Sequence, residues 1–190
     1  MNALLATAAE IQEFLQRSNE RFCFIGGVAL QRWGEPRFTR DVDITLLCPF
    51  GQEASCADRL LAAFTPRIPD AKAFALQNRV LLLRGASGIP IDIALGAIPF
   101  EERCVDRATS FRFGNVSLKT CSAEDLVVFK AFAGRDQDWV DIESIAIRQS
   151  VRLDWSGIFA ELKPLAELRD GVQTMERLQH IKEVSCGDGA

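Results

Sequence analysis

The segment Asp41–Leu47, which reads DVDITLL, alternates polar and apolar residues with a period of two. This alternation predicts a strand with one face against a core and one polar, acidic face. The preceding chain fits the same pattern, because the apolar run Phe22–Ile25 ends at Gly26 and Gly27 and is followed by a helix-compatible stretch, Val28–Trp33. The sequence therefore predicts a strand, a glycine turn, a short helix and a second strand.

The rest of the chain changes from strand signals to helix signals. Two hairpins are predicted, at Arg79–Arg84 with Ile89–Leu95 and at Phe111–Phe113 with Val116–Leu118. Helices are predicted at Ala3–Ser18, Gln52–Phe64, Ser122–Gly134, Gln137–Gln149, Trp155–Leu168 and Val172–Val184. Strands early and helices late indicate an α+β protein, with an α/β core at 1–120 and a helical region at 121–190 packed on it.

The charge balance argues against one class of protein. The chain has 22 basic and 26 acidic residues, a formal charge of −4, whereas proteins held to nucleic acid by bulk charge are usually strongly basic. The charge is unevenly spread along the chain. Residues 17–84 carry 10 basic and 7 acidic residues, whereas residues 85–190 carry 12 basic and 17 acidic residues.

Cysteine usage and hydropathy bear on the compartment. No apolar run approaches the roughly 20 residues of a membrane span, and we expect a cytoplasmic protein with reduced, mostly buried thiols. The six cysteines are Cys23, Cys48, Cys56, Cys104, Cys121 and Cys186.

Asp41 and Asp43 are the strongest chemical signal. Residues two apart in a strand share a face, so both carboxylates project into the same space and repel each other unless a counter-charge is present. A divalent cation such as Mg²⁺, which prefers carboxylate oxygens and substrate phosphates, would supply that charge. The alternative is a solvated strand face that pairs with nearby arginines, namely Arg32, Arg37 or Arg40.

Two further features support the metal interpretation. Gly26 and Gly27 lie where a strand turns into a helix, and glycines there let backbone N–H groups approach a phosphate. Asp92 stands between two isoleucines on an otherwise apolar strand, so it faces away from them and, if the strands are neighbours, toward the Asp pair. The alternatives are an ordinary glycine turn and a half-exposed strand.

These residues carry a resemblance. The stretch FIGGVALQRWGEPRFTRDVDITL resembles the signature of the nucleotidyltransferase superfamily that includes DNA polymerase beta. The spacing of Arg37, Thr39, Asp41 and Asp43 is most similar to the AbiEii branch of bacterial nucleotidyltransferase-like proteins. The segment SAEDLVVFKAFAGRDQDWVDI is similar to a helical motif of the same branch. The resemblance covers about residues 20–145 and implies a mixed sheet with flanking helices.

The resemblance also implies site residues and substrates. Asp41, Asp43 and Asp92 would bind two Mg²⁺ ions, with Asp92 helping to deprotonate the acceptor. The expected contacts to the nucleoside triphosphate (NTP) are Gly26, Gly27, Lys130 and Arg40. The motif also contains Arg135, Asp138 and Asp141, for which a structural ion-pair network is an equal alternative. For Lys130 the alternative is a surface lysine. Many relatives have serine where this chain has Gly27.

The expected function is Mg²⁺-dependent transfer of a nucleoside monophosphate to an acceptor hydroxyl. The resemblance implies a toxin-like enzyme acting on RNA such as tRNA, and a cognate antitoxin. Protein and small-molecule acceptors stay open, including the acceptor of an aminoglycoside-type nucleotidyltransferase, an alternative that the acidic excess of residues 85–190 keeps open. A nucleotide-binding or interaction module without catalytic activity is the third alternative. Six arginines could form an acceptor surface or be scattered and solvated: Arg32, Arg37, Arg40, Arg59, Arg67 and Arg79.

Overall fold

The computed structural model describes residues 2–168 and 171–187, without the side chains of residues 186 and 187. The chain forms two compact units. The first combines the chain up to Val28 with Phe38–Cys121, and the second combines Ala29–Arg37 with the chain from Ser122 onward.

The first unit contains a mixed sheet, which has seven strands in the part of the chain that the structure describes. The strands are β1 (Phe22–Phe24), β2 (Val42–Leu47), β3 (Thr65–Pro66), β4 (Val80–Arg84), β5 (Pro90–Gly96), β6 (Thr109–Phe113) and β7 (Val116–Thr120). Their order in the sheet is β3-β4-β5-β2-β1-β7-β6. The β2–β5 and β1–β7 pairs are parallel and the other pairs are antiparallel.

One face of this sheet lies against helices. The helices of the first unit are α1 (Ala3–Arg17), α3 (Glu53–Leu61), α4 (Ala71–Asn78) and α5 (Pro99–Arg107), while α2 (Gly26–Trp33) continues past Val28 into the second unit. Ile44 of β2 and Ile93 of β5 are paired in register and fully buried, in one apolar cluster with α1, α3 and α4. Burying these side chains fixes the register, because a slip of one residue would move the whole apolar set to the other face.

The second unit is helical. Its helices are α6 (Ala123–Ala133), α7 (Asp136–Gln149), α8 (Trp155–Ala166) and α9 (Val172–Gly187), with a 3₁₀ turn at Ser150–Arg152. The Ser122 hydroxyl accepts the Asp125 N–H at 3.0 Å and caps α6, which ends at Gly134 with a φ of +67°. Such capping stabilises helix ends whose backbone groups would otherwise lack partners.

The α+β architecture, both hairpins and the predicted helices are confirmed, with small shifts at their ends. The helix predicted to reach Phe64 ends at Leu61, and α4, α5 and the short strand β3 were not predicted.

The expected thiols are confirmed for the cysteines whose side chains are described. Five cysteines are buried and not joined in disulfides: Cys23, Cys48, Cys56, Cys104 and Cys121. The side chain of Cys186 lies outside the described part of the chain. Among the described residues, no helix combines the length and the apolar character that crossing a membrane requires.

Candidate active site

The structure brings the three predicted aspartates together in the first unit. Asp43 on β2 and Asp92 on β5 are direct partners in the parallel register, and Asp41 lies two residues before Asp43. One carboxylate oxygen from each residue lies within 4.8 Å of the other two, and all three residues are half-buried. The predicted neighbourhood of Asp92 and the Asp pair is therefore confirmed.

Strand alternation explains this arrangement. Val42 and Ile44 on β2 and Ile91 and Ile93 on β5 point into the apolar cluster, so the residues between them must point to the opposite face. Two parallel strands in register then place their acids side by side. The hydrophobic residues thus determine where the carboxylates lie.

Asp92 is partly buried and lies close to the charges of Arg67 and Asp41. Burial raises the pKa of its carboxyl above the ordinary value, the Arg67 guanidinium opposes that shift, and the negative charge of Asp41 adds to it. Arg67 Nη2 lies 2.9 Å from Asp92 Oδ1 and 3.0 Å from Oδ2. Only the contact to Oδ2 has hydrogen-bond geometry, and the buried Oδ1 accepts no hydrogen bond from the described residues.

The glycine turn is built around these acids. Gly26 has a φ of +54°, in the left-handed region, and a Cβ there would overlap Asp43 Oδ2 and lie 2.6 Å from Asp43 Cγ. A Cβ at Gly27 would likewise overlap the hydroxyl of Thr39, which donates a hydrogen bond to Asp41 Oδ1 at 3.0 Å. The space that a serine would need at position 27 is therefore filled by Thr39.

The aspartates fit a hard divalent cation. They offer only carboxylate oxygens, which Mg²⁺ prefers, and Asp92 Oδ1 is a buried acceptor without a hydrogen bond. Asp43 approaches the turn as closely as it does only because residue 26 lacks a side chain. Asp41, Asp43 and Asp92 would hold the ion.

A second charged cluster lies in the second unit. Lys130 Nζ on α6 donates to Asp138 Oδ1 at 3.2 Å and to Asp141 Oδ2 at 2.6 Å, both on α7. Arg37 donates to both oxygens of Asp141 at 2.9 Å, and Arg135 Nε donates to Asp138 Oδ2 at 2.6 Å. The two carboxylates of this buried-acid cluster thus bind three cations.

Lys130 is only 5% exposed, so its interpretation as a surface lysine is wrong. The ion-pair network predicted as an alternative for Arg135, Asp138 and Asp141 is present in the structure. A contact between Lys130 and a nucleotide stays a prediction. A buried lysine between two aspartates has a structural role in any case, because it neutralises charges that burial would otherwise make very costly.

We expect this cluster to lose stability in acid. Burial raises the pKa of Asp141, but hydrogen bonds from Arg37 and Lys130 outweigh it, so the pKa lies below the ordinary 3.8. A carboxyl whose folded pKa is lowered stabilises the fold above its unfolded pKa and loses that contribution as the pH falls through the folded value. The unfolding free energy should therefore decrease below about pH 4 more steeply in the wild type than in Asp141→Asn.

Urea denaturation at a series of pH values measures this difference in slope. Asp136→Asn is the matched control, because Asp136 is an exposed acid on the same helix. That variant should keep the wild-type pH dependence. Parallel curves for the wild type and Asp141→Asn would show that the Asp141 ion pairs contribute nothing to the acid response.

The predicted basic surface is not a row of free arginines. Arg37, a candidate counter-ion for the Asp pair, forms an ion pair with Asp141. Three others also form ion pairs: Arg59 with Glu20, Arg67 with Asp92, and Arg79 with Glu53. Arg40 is exposed, one residue before Asp41.

Sequence reasoning missed the role of Arg67 at the site. Only the pairing of β3, β4 and β5 brings Arg67 to Asp92, and no local motif marks it. The short strand β3, two residues long with Pro66 at its end, gave no strand signal that could have placed it.

The chain matches the model of a known protein family. The family model described as nucleotidyl transferase AbiEii toxin, type IV toxin–antitoxin system, matches residues 13–152. A search of curated proteins gives no significant match.

Two solved structures share the fold. An antigenic nucleotidyltransferase-like protein from Paracoccidioides brasiliensis is 17% identical, with a TM-score of 0.53, over 93% of this chain and 92% of that chain. The antibiotic-resistance factor ANT(2'')-Ia is 13% identical, with a TM-score of 0.54, over 93% of this chain and 96% of that chain. Since the family model covers most of the chain, the protein belongs to the AbiEii family of nucleotidyl transferases and is an enzyme of the transferase class.

Proposed function

We propose that the protein is a Mg²⁺-dependent nucleotidyltransferase that moves a nucleoside monophosphate from an NTP to an acceptor hydroxyl. The observation that carries this proposal is the convergence of Asp41, Asp43 and Asp92 on one face of the sheet, with oxygens within 4.8 Å. Three like charges at this spacing destabilise a fold that does not use them, so a cation-dependent reaction explains their presence.

The residues of the first unit have distinct roles in this reaction. Asp41, Asp43 and Asp92 hold two divalent ions, and the backbone N–H groups at Gly26 and Gly27, at the start of α2, bind the triphosphate. The exposed Arg40 contacts a phosphate. Bound divalent ions would neutralise charge on the phosphates and make the acceptor hydroxyl more acidic.

The reaction exchanges a phosphoanhydride bond of the NTP for a phosphodiester bond to the acceptor. The acceptor oxygen forms a bond to the α-phosphorus, the bond from that phosphorus to the β-phosphate oxygen breaks, and pyrophosphate leaves. Asp92 takes the proton of the acceptor hydroxyl, a role that suits a positioned carboxylate. Most of the rate gain comes from positioning and charge neutralisation rather than from covalent chemistry by the protein.

For the acceptor we propose RNA such as tRNA, with a toxin-like role in the cytoplasm and a cognate antitoxin. The family description, which names a toxin of a type IV toxin–antitoxin system, supports this proposal. The buried thiols of the described cysteines are consistent with a reducing compartment.

A small-molecule acceptor is the second candidate. The excess of 17 acidic over 12 basic residues in 85–190 favours a cationic substrate such as an aminoglycoside over a polyanion. The acceptor's charge therefore separates the two candidates.

Calorimetric titration of each NTP, with Mg²⁺ and with EDTA, tests the function. We expect one NTP to bind in Mg²⁺ and to lose at least about tenfold in affinity in EDTA, because the phosphates then face the carboxylates of Asp41, Asp43 and Asp92 without a divalent cation between them. The NTP that binds, labelled at the α-phosphate, is then offered to RNA, to protein and to aminoglycosides.

Label on RNA with release of pyrophosphate supports the RNA-directed enzyme, and label on an aminoglycoside supports the second candidate. Binding of an NTP without transfer to any acceptor would indicate the catalytically silent module. Equal binding in Mg²⁺ and EDTA would contradict the metal-dependent site.

A further inference from the structure

Arg67 reaches the candidate active site from the edge of the sheet. It directly follows β3, and its N–H donates to the carbonyl of Leu82 on β4 at 2.9 Å. Leu82 is the register partner of Asp92 on β5. The backbone of Arg67 is therefore anchored two strands away from Asp92, and its side chain spans the intervening strand.

The contact with Asp92 has an unusual geometry. A single nitrogen, Nη2, lies almost equally far from both carboxylate oxygens, at 2.9 Å from Oδ1 and 3.0 Å from Oδ2. The common fork-to-fork pair between arginine and a carboxylate uses two nitrogens, one for each oxygen. A single positive group therefore lies against both oxygens of Asp92, one of the three carboxylates that would hold a cation.

The charges of the site determine how Arg67 affects cation binding. Asp41, Asp43 and Asp92 carry three negative charges, and Arg67 neutralises one of them at contact distance. The guanidinium and a divalent ion cannot both lie between the two oxygens of Asp92. A divalent ion bound at either oxygen would also lie close to the guanidinium, and the two positive charges repel each other.

We propose that Arg67 is a competitor for the metal position on Asp92 in the nucleotide-free protein, and that nucleotide binding relieves the competition. This inference rests on the proposed function. A triphosphate supplies oxygen ligands for the metal and is also a strong alternative partner for a guanidinium. Asp92 then binds the metal weakly without nucleotide and strongly with it. The nucleotide-free site therefore does not hold its catalytic ion.

Titration of Mn²⁺ into the nucleotide-free protein, followed by calorimetry, tests the competition. Mn²⁺ takes the same oxygen ligands as Mg²⁺. Arg67→Met should bind Mn²⁺ at least about tenfold more tightly than the wild type, because the side chain keeps its apolar length and loses the competing charge. Adding Asp92→Asn to that variant should abolish the gain.

Arg84→Met is the matched control for loss of a positive charge. Arg84 lies two residues after Leu82 on β4 and donates to the Gly88 carbonyl rather than to the triad. Its replacement should change the Mn²⁺ affinity by less than about threefold, since the separation weakens the interaction. Arg67→Gln repeats the test if Arg67→Met does not fold, which far-UV circular dichroism reveals.

The opposite result has a clear meaning. If Arg67 only positions Asp92 for the metal, Arg67→Met should bind Mn²⁺ more weakly than the wild type, and that outcome or an unchanged affinity overturns the inference while the metal site stands. Absence of Mn²⁺ binding in every protein, with and without NTP, overturns both the inference and the proposed function.

Discussion

Replacing Asp43 by asparagine is expected to slow nucleotidyl transfer at least about a thousandfold, which corresponds to about 4 kcal/mol of lost transition-state stabilisation. Asparagine keeps the size of the side chain and removes one of the three charges that we propose to hold the cation. The loss should appear in kcat as well as in metal-dependent NTP binding. Single-turnover transfer of an α-labelled nucleotide measures the rate.

The matched control is Asp106→Asn. Asp106 is an exposed acid of the same unit that pairs with Arg21 on the surface. Its replacement should leave transfer unchanged, because exposed ion pairs contribute little. If Asp43→Asn is as active as the wild type, Asp43 does not bind a metal that the reaction needs. That result would contradict the proposed mechanism.

Lys130→Met should cost about 3–5 kcal/mol of unfolding free energy, the largest stability effect that we expect of a single substitution. The substitution removes the cation that lies between Asp138 and Asp141, which are 2% and 3% exposed. Arg37 and Arg135 still neutralise part of this charge, so the lower half of the range is favoured. Urea denaturation measures the change.

Lys163→Met provides the comparison, since Lys163 is an exposed lysine on α8 of the same unit. Its replacement should change the unfolding free energy by less than about 0.5 kcal/mol. If Lys130 acts mainly on the nucleotide, Lys130→Met should instead keep wild-type stability and lose NTP affinity. Measuring both quantities on one variant therefore separates the structural role from the predicted binding role.

The acid triad could be predicted because each part of it is local. The period of two in DVDITLL orients Asp41 and Asp43, and the isoleucines on either side of Asp92 orient that residue. The pairing of Asp43 with Asp92 is not local, since it depends on β5 lying parallel to β2. The sequence predicts that Asp92 faces the Asp pair only if the two strands are neighbours. The structure shows that they are.

The sequence analysis did not predict helices α4 and α5, whose sequence signals are weak or easily overlooked. Helix α4 begins at Ala71, its N-cap residue Asp70 makes no side-chain capping bond, and its polar and apolar residues are poorly separated into faces. Helix α5 does carry signals, because Pro99 stands in its first turn and Glu101 accepts the Ile98 N–H at 3.2 Å. Its short length and many charges hid them.

Lys130 shows a different limit. Its neighbours in the sequence, Phe129 and Ala131, say nothing about the two aspartates that surround it, because those lie on the next helix. A lysine is rarely buried, so composition favours the surface unless the partner acids are known. Only the packing of α6 on α7 reveals that the charge is compensated.

The turn at Gly26 also has an evolutionary consequence. Every other genetically encoded residue carries a carbon where Asp43 Oδ2 now lies, and it would have to adopt a φ of +54°. Any missense change in this one codon therefore pushes the Asp43 carboxylate, a proposed metal ligand, out of place, while the buried apolar face on the other side of the sheet is untouched. A single nucleotide change is thus enough to turn an active lineage into one that keeps the fold and gives up the chemistry.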